Sequence, residues 1–162
     1  MKKLENLNGH YLRAADDARL AALAAARIGE EADVALLTQA MPVLKVRARN
    51  LNEIVEGARF LFARRPLAMD AKATALLDDE ARAILRRIVD RLAGENDWTS
   101  ATLEATTKAL AEEWGLGLGK LAQPMRAALT GTTTSPGSFD VLVLLGRDEA
   151  LARLADQAGT AA

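Results

Sequence analysis

The clearest hydrophobic pattern in the chain runs from Leu51 to Phe62. Apolar residues recur there at intervals of three and four, the spacing of one face of an α-helix: Leu51, Ile54, Val55, Ala58, Leu61 and Phe62. Asn50, followed three residues later by Glu53, is typical of a capped helix start, and Arg64-Arg65-Pro66 ends the pattern. The sequence therefore predicts an amphipathic helix over residues 51–62.

A second strong pattern lies between residues 78 and 94. One side of the predicted helix is apolar (Ala81, Ile84, Leu85, Ile88 and Leu92) and the other is basic (Arg82, Arg86, Arg87 and Arg91). Asp78 or Asp79 is expected to cap this helix, and Gly94 to end it. Taken alone, the arginines are typical of a solvated helix face.

Shorter patterns predict further helices at residues 4–12, 18–28, 34–41, 71–77, 100–114 and 148–157. The first rests on Leu4 and Leu7, the second is expected to be capped by Asp16 or Asp17, and Pro42 is expected to break or restart the chain after the third. The glycine-rich residues 115–120 lack a preceding strand and Walker spacing, so they predict a turn between helices. Trp98, just before a hydroxyl cap, is expected to be a packing anchor.

No alternating strand pattern of useful length and no internal repeat interrupt these segments. The sequence therefore predicts an all-α fold, a multi-helix bundle made of two packed helical subdomains. We expect the first subdomain, with a connector helix at its start, to span residues 1–67 and the second to span residues 68–162, with a boundary near residues 65–70.

Between residues 120 and 146, two short helical patterns flank a connector, Gly131 to Gly137, that holds two glycines, a proline and four hydroxyl side chains. The first arm places Leu121, Met125, Ala128 and Leu129 inward and Lys120, Gln123 and Arg126 outward. Gly131 is expected to end that arm. Ser135-Pro136 is expected to open the second arm as a capping hydroxyl with proline at the first helical position, followed by a buried helix over residues 137–145.

Composition excludes several classes of function. Half of the 162 residues are apolar and 27% are charged, which is typical of a globular chain. With no cysteine and a single histidine, His10, we predict neither a catalytic triad nor a metal site, and we expect a cytoplasmic protein. Without a secretory leader or an apolar run of membrane-spanning length, no membrane contact is expected. The net charge of −1 means that any contact with nucleic acid must be local.

The residues around the connector carry a resemblance to a known family. The order A-Q-P-x-R-x-A-L-T-G, a short variable piece, S-P-G, an aromatic residue and L-L-G occupies residues 122–146. It resembles the C-terminal anticodon-binding end of bacterial glutamyl-tRNA synthetases, which are class I aminoacyl-tRNA synthetases. Residues 51–62 resemble the family's L-x-E-x-x-x-x-A-R-F/Y-L-F stretch, and residues 3–13 resemble its segment that follows the catalytic domain, with Asn6 in place of the usual tryptophan.

The resemblance implies which residues contact RNA. Arg47 falls where glutamate-specific members have an arginine that reads the third anticodon base, and Arg49 is close enough for a register slip to exchange the two. Arg126 matches an arginine near the middle base. Ser135 matches a hydroxyl position in the same region, and Gln123 and Ser138 complete the expected tRNA anticodon-binding set.

The function implied is recognition of the anticodon loop of tRNA(Glu), so that the acceptor end reaches a catalytic domain absent from this chain. The family's H-I-G-H-type and K-M-S-K-S-type motifs are not found, so we expect no catalytic residue here, no cofactor in this chain, and ATP and magnesium on the absent catalytic domain. We expect a monomer. The alternative is a helical protein-interaction or regulatory module, derived from such a synthetase, that no longer binds tRNA.

Overall fold

The computed structural model describes residues 10–159. Within this range the regular secondary structure is helical, and there is no strand. The helices are α1 (Asp17–Ile28), α2 (Val34–Leu44), α3 (Leu51–Ala58), α4 (Ala71–Leu76), α5 (Asp79–Ala93), α6 (Ser100–Glu113), α7 (Gly119–Thr130), α8 (Ser138–Leu145) and α9 (Arg147–Ala158). Residues 10–14 are also helical, whereas Leu4, Asn6 and Leu7 of the first predicted helix lie outside the described residues. None of the described helices combines the length and apolarity that crossing a membrane requires. The prediction of an all-α fold is confirmed.

The chain separates into two compact units, Met1–Ala63 (unit 1) and Arg64–Ala162 (unit 2). Unit 1 contains α1 to α3, and unit 2 contains α4 to α9. The division of the chain into two functional subdomains at residues 67 and 68 stays a prediction.

The core of unit 1 is built from small and branched side chains of α1, α2 and α3. Ala21, Ala24, Leu37, Met41 and Ile54 are completely or almost completely buried. Because alanine has almost no side chain, helices lined with it approach closely, and the contact between α1 and α2 is extensive. The many alanines of the sequence are thus used for packing as well as for helix propensity.

The amphipathic segment of unit 1 differs from its prediction near its end. α3 stops at Ala58, and a 3₁₀-helix, Arg59–Phe62, continues the chain. A 3₁₀-helix has three residues per turn, so each side chain is rotated further around the axis than in an α-helix. As a result Phe60 and Leu61 are buried, while Phe62 is half-buried.

Two predictions about helix ends in unit 1 were wrong. Pro42 does not break the chain, because α2 continues through it to Leu44, and burial of Met41 and Leu44 outweighs one missing hydrogen bond. Asp16 occupies the N-cap position of α1 without a side-chain hydrogen bond to that helix, and Asp17 instead pairs with Lys45 at 2.6 Å.

The core of unit 2 forms where the apolar faces of α5, α7 and α9 meet. Leu85, Ile88, Leu121, Met125 and Leu154 are fully buried there. Asp78 caps α5 by accepting a hydrogen bond from the Ala81 amide at 2.8 Å, as the sequence predicted. Gly94 follows the end of α5, also as predicted.

The sequence pattern suggested that the arginines of α5 form a solvated face, but two of them bond to the backbone of another helix. Arg82 is half-buried and donates from Nη1 to the Gln157 carbonyl at 2.6 Å and from Nε to the Leu77 carbonyl at 3.1 Å. Arg86 donates to the Ala158 carbonyl at 2.7 Å. Both therefore cap the C-terminal end of α9, whose last carbonyls have no partner within their own helix.

Two more helix ends of unit 2 are capped in the same way. Arg147 donates to the carbonyls of Ala93 and Glu95 at the end of α5. The indole of Trp98 donates to the Leu142 carbonyl of α8 at 2.9 Å, so Trp98 is the packing anchor that was predicted. Side chains from distant parts of the sequence thus satisfy the backbone at the ends of three helices.

Candidate functional site

The first arm of the predicted site is α7. Its residues Lys120 and Gln123 are exposed as predicted, but Arg126, one turn beyond Gln123, is half-buried. A groove of about 360 Å³ runs beside the exposed pair, and its other walls include Pro124, Leu76 and Ile84. α7 therefore offers one exposed amide, one ammonium group and one partly covered guanidinium within two turns.

Gly131 ends α7 in the left-handed conformation, with φ of +77°, and this confirms the predicted helix stop. Its amide donates to the Ala127 carbonyl at 2.8 Å, and its carbonyl accepts from the Asp70 amide at 3.0 Å. A Cβ atom at this position would lie 2.2 Å from the Ala68 oxygen. Both the backbone conformation and the close approach of residues 68–70 therefore require glycine.

Hydroxyl groups at the end of α7 and in the connector bond to nearby carbonyls. Thr130 donates back to the Arg126 carbonyl at 2.8 Å, and Thr132 donates to the Thr134 carbonyl at 3.1 Å. Ser135 is half-buried and donates to the Pro136 carbonyl at 2.9 Å. These short-range bonds hold the turns of the connector.

The predicted start of the second arm was wrong by two residues. α8 begins at Ser138 with Gly137 at the N-cap, and no side chain caps it. Ser135 lies two residues before the N-cap of α8, and its hydroxyl donates to the Pro136 carbonyl. Ser138 is buried and donates to the Ala122 carbonyl at 3.0 Å, which ties the start of α8 to α7 beside Gln123. The predicted burial of this helix holds in part, because Ser138, Val141 and Leu142 are buried and the other residues of α8 are half-buried.

Arg47 and Arg49 lie in unit 1, in the segment between α2 and α3, and both are exposed. Between them Ala48 is buried, with 4% of its surface accessible. Lys45 anchors the start of the segment, because its ammonium donates to Asp17 at 2.6 Å and to the Ala15 carbonyl at 3.4 Å. The two guanidinium groups thus extend from a short segment that is fixed to the core.

Glu53 fixes the other end of this segment. The Asn50 side chain accepts from the Glu53 amide at 3.0 Å, and Glu53 accepts from the Arg49 amide at 2.8 Å, which is one residue earlier than in the usual capping box. The Arg49 guanidinium also contacts this carboxylate at 3.1 Å. The Arg49 backbone N–H holds the pKa of Glu53 below its ordinary value, and the guanidinium adds to that effect.

Sequence reasoning missed Arg153, the most completely buried charged residue described. It lies on α9 among Ala150, Leu154 and Ala158, with 1% of its surface accessible, and donates to the Leu129 carbonyl at 2.8 Å. The signal was present, since Ala150, Leu154 and Ala158 repeat every four residues and position 153 falls on the same stripe. An arginine is normally assigned to the solvent side, so the stripe was not extended to it.

The predicted residues therefore fall into two groups. Gln123, Arg126, Ser135 and Ser138 belong to α7, the connector and α8 of unit 2, whereas Arg47 and Arg49 belong to unit 1. Among residues 10–159, no three His, Cys, Asp or Glu side chains are grouped as a metal site would require. The chemistry that these groups offer is hydrogen-bond donation from arginine, amide and hydroxyl side chains.

Residues 13–158 match the family model described as an anticodon binding domain. Glutamate–tRNA ligase 1 of Erythrobacter litoralis is 69% identical over 157 residues, which cover 97% of this chain and 33% of that protein. Glutamate–tRNA ligase 2 of Novosphingobium aromaticivorans is 61% identical over 165 residues, covering 98% of this chain and 34% of that protein. The chain therefore spans about a third of the length of these curated relatives.

Solved structures share the fold. The crystal structure of a glutamate tRNA ligase from Elizabethkingia meningosepticum in complex with its amino acid matches with a TM-score of 0.82 at 22% identity, over 95% of this chain and 31% of that one. A glutamate-tRNA synthetase from Elizabethkingia anophelis matches with a TM-score of 0.79, also at 22% identity, over 96% of this chain and 31% of that one. At this level of identity the likeness confirms the helical architecture.

Proposed function

This chain belongs to the anticodon binding domain family, and on that premise we propose that it binds the anticodon loop of tRNA(Glu) as the anticodon-binding part of a glutamate–tRNA ligase. The observation that carries the proposal is the family match over residues 13–158. High identity to two glutamate–tRNA ligases supports the choice of amino acid. The proposed role is to hold the tRNA so that its acceptor end reaches a catalytic centre elsewhere in such an enzyme.

The unit 2 part of the proposed site is the end of α7 with the connector. Single-stranded loop bases expose their Watson–Crick edges, and arginine, amide and hydroxyl groups are suited to bond to them. Arg126 is our candidate for contact with the middle anticodon base, and Ser135 and Gln123 are our candidates for further contacts to the loop. Support comes from the half-exposure of Arg126, which is consistent with contact to a base, and from the exposure of Gln123. For Ser138, which is buried against Ala122, the proposed role is to hold α8 on α7.

In unit 1 we assign the third anticodon base to Arg47 rather than Arg49. The Arg49 amide and guanidinium both bond to Glu53, so Arg49 stabilises the start of α3. Arg47 is at the position where the resemblance places the arginine that reads this base, and it is also exposed, on the same anchored segment. An arginine provides donors for the acceptors of a cytosine, whereas the Watson–Crick edge of a guanine offers N–H groups that an arginine repels. This chemistry would favour tRNA(Glu) over tRNA(Gln).

The remaining parts of the reaction are proposed for the complete ligase. ATP and magnesium would be used there, on a catalytic domain, and this chain would contribute RNA binding alone. We place the protein in the cytoplasm, in keeping with a chain that has no cysteine, and we propose that it is a monomer.

Binding measurements test the proposal directly. The 162-residue chain is titrated against tRNA(Glu) and against the same tRNA with an exchanged anticodon, in a filter-binding or mobility-shift assay at fixed salt. Stronger binding to tRNA(Glu) is expected. Equal, weak binding to both RNAs would instead favour a helical protein-interaction or regulatory module that no longer binds tRNA.

The variant Arg47→Gln, built into a complete ligase, tests the base assignment. We expect discrimination between tRNA(Glu) and tRNA(Gln) to fall about tenfold, the usual effect of losing one good side-chain contact to a base. Arg59→Gln is the matched control, since Arg59 is also exposed in unit 1 and pairs with Glu56 at 2.9 Å. An unchanged ratio of charging rates in Arg47→Gln would remove Arg47 from the site.

A further inference from the structure

Arg153 places a fixed positive charge inside unit 2. Its side chain is 1% exposed, and it donates from Nε to Glu149 at 2.9 Å and from Nη1 to the Leu129 carbonyl at 2.8 Å. A buried guanidinium is tolerated only where such partners replace the water that it loses. The Glu149 carboxylate and the Leu129 carbonyl therefore fix the position of the guanidinium, and the guanidinium in turn fixes theirs.

The Leu129 carbonyl belongs to the last turn of α7, where backbone oxygens have no donor within their own helix. A cation at this end also opposes the negative end of the helix dipole. Arg153 thus caps α7 from α9. The capped carbonyl lies three residues after Arg126, and its turn leads through Gly131 into the connector that contains Ser135.

A second anchor holds the same turn through Gly131. The Gly131 carbonyl accepts from the Asp70 amide at 3.0 Å, and the Ala68 oxygen lies against the Gly131 Cα. The orientation of Arg153 is in turn supported by Glu149, whose carboxylate also lies 3.9 Å from Arg65. The last turn of α7 is thus fixed by α9 and by residues 68–70.

We propose that Arg153 is a positioning residue for anticodon recognition, which holds the end of α7 so that Arg126 and the connector meet the middle anticodon base. The inference rests on the proposed tRNA binding. Arg153 itself would not touch RNA, because its side chain is buried. Its effect passes through the Leu129 carbonyl to the residues on either side of it.

The test compares Arg153→Met with Arg86→Met in the 162-residue chain. Arg86 is the matched control, since it also caps a helix end of unit 2, but its hydrogen bond goes to the Ala158 carbonyl of α9 and not to the end of α7. Dissociation constants are measured for tRNA(Glu) and for a version with the middle anticodon base exchanged. The ratio of the two constants is expected to fall about tenfold in Arg153→Met, one lost specific contact, and to stay unchanged in Arg86→Met.

Amide hydrogen exchange supplies a readout of the mechanism. The Asp70 and Gly131 amides, which close the bonds around the end of α7, are expected to exchange faster in Arg153→Met. The Trp114 amide at the end of α6 serves as the internal reference and should not change. If Arg153→Met does not fold, Arg153→Lys takes its place, because an ammonium group lacks the planar fork that reaches both acceptors, and a smaller loss of the ratio is expected.

The outcomes separate the two proposals. If the unmodified chain does not distinguish the two RNAs, the proposed function fails. If it distinguishes them and the ratio is unchanged in Arg153→Met, or in Arg153→Lys where only that variant folds, the positioning role is overturned. An equal loss in Arg153→Met and Arg86→Met would also overturn it, because general destabilisation would then explain both.

Discussion

Replacing Gly131 by alanine tests how tightly the end of α7 is held. Two costs add at this position. An L-residue in the left-handed region costs about 1–2 kcal/mol, because its Cβ crowds the backbone carbonyl oxygen. The new Cβ would also lie 2.2 Å from the Ala68 oxygen, whereas ordinary contacts begin at 3.4 Å, and that oxygen is backbone and cannot rotate away.

Relief of this overlap requires residues 68–70 to move away from α7. The movement would stretch or break the hydrogen bond from the Asp70 amide to the Gly131 carbonyl, and losing a bond of this kind costs about 1–3 kcal/mol. The total expected for Gly131→Ala is therefore about 3 kcal/mol of unfolding free energy. For a unit of about 100 residues, each kilocalorie per mole lowers the melting temperature by about 4–8 °C.

Gly115→Ala is the control that separates the two costs. Gly115 also has a positive φ, +65°, but a Cβ there would meet nothing within 4 Å. We expect Gly115→Ala to cost only the conformational part, about 1–2 kcal/mol. Urea unfolding followed by tryptophan fluorescence measures both variants, since both tryptophans, Trp98 and Trp114, lie in unit 2. Equal destabilisation by the two substitutions would refute the close contact with Ala68.

Two further predictions concern side chains that fix helix ends. Arg82→Gln should lower the stability of unit 2 by about 1–3 kcal/mol in urea unfolding, because the carbonyls that Arg82 caps lose their donor. Arg91→Gln is the control, which breaks an exposed pair with Glu113 and should cost less than about 1 kcal/mol. Equal costs for the two variants would contradict the capping role of Arg82. Because the folded pKa of Glu53 is lowered, its ionised form stabilises unit 1 above the unfolded pKa, and this contribution is lost as pH falls through the folded pKa. Glu53→Gln should therefore be less stable than the unmodified chain near pH 7 and approach it in acid, as thermal unfolding by circular dichroism at several pH values would show; a difference independent of pH would refute this.

Periodicity predicted the helices because most of them have one apolar face and a local end signal. Asp78, Gly94 and Gly131 mark helix ends through interactions with residues close to them in the sequence, so the sequence alone located those ends. The extension of α2 through Pro42 and the start of α8 at Ser138 were missed for the opposite reason. Burial of Met41 and Leu44, and the bond from Ser138 to Ala122, depend on residues from other helices.

Only part of the candidate site could be predicted from the sequence, again because some of its contacts depend on other helices. The residue types around the connector identified the family, but the sequence pattern could not reveal that arginines of this chain bond to backbone carbonyls of other helices. Arg82, Arg86 and Arg153 are the same residue type as Arg47, and only the fold separates those that are half-buried or buried from the one that is exposed. Whether Arg47, Arg126 and Ser135 contact RNA stays a prediction.

The capping of helix ends by distant arginines also affects the order in which unit 2 is completed during synthesis. α9 receives caps from Arg82 and Arg86, and through Arg147 and Arg153 it supplies caps to α5 and α7. The ribosome makes α5 and α7 first, so the carbonyls at the ends of both helices bond to water until α9 has emerged and its arginines replace that water. Unit 2 should therefore acquire its native packing late and in one step, rather than helix by helix as the nascent chain lengthens.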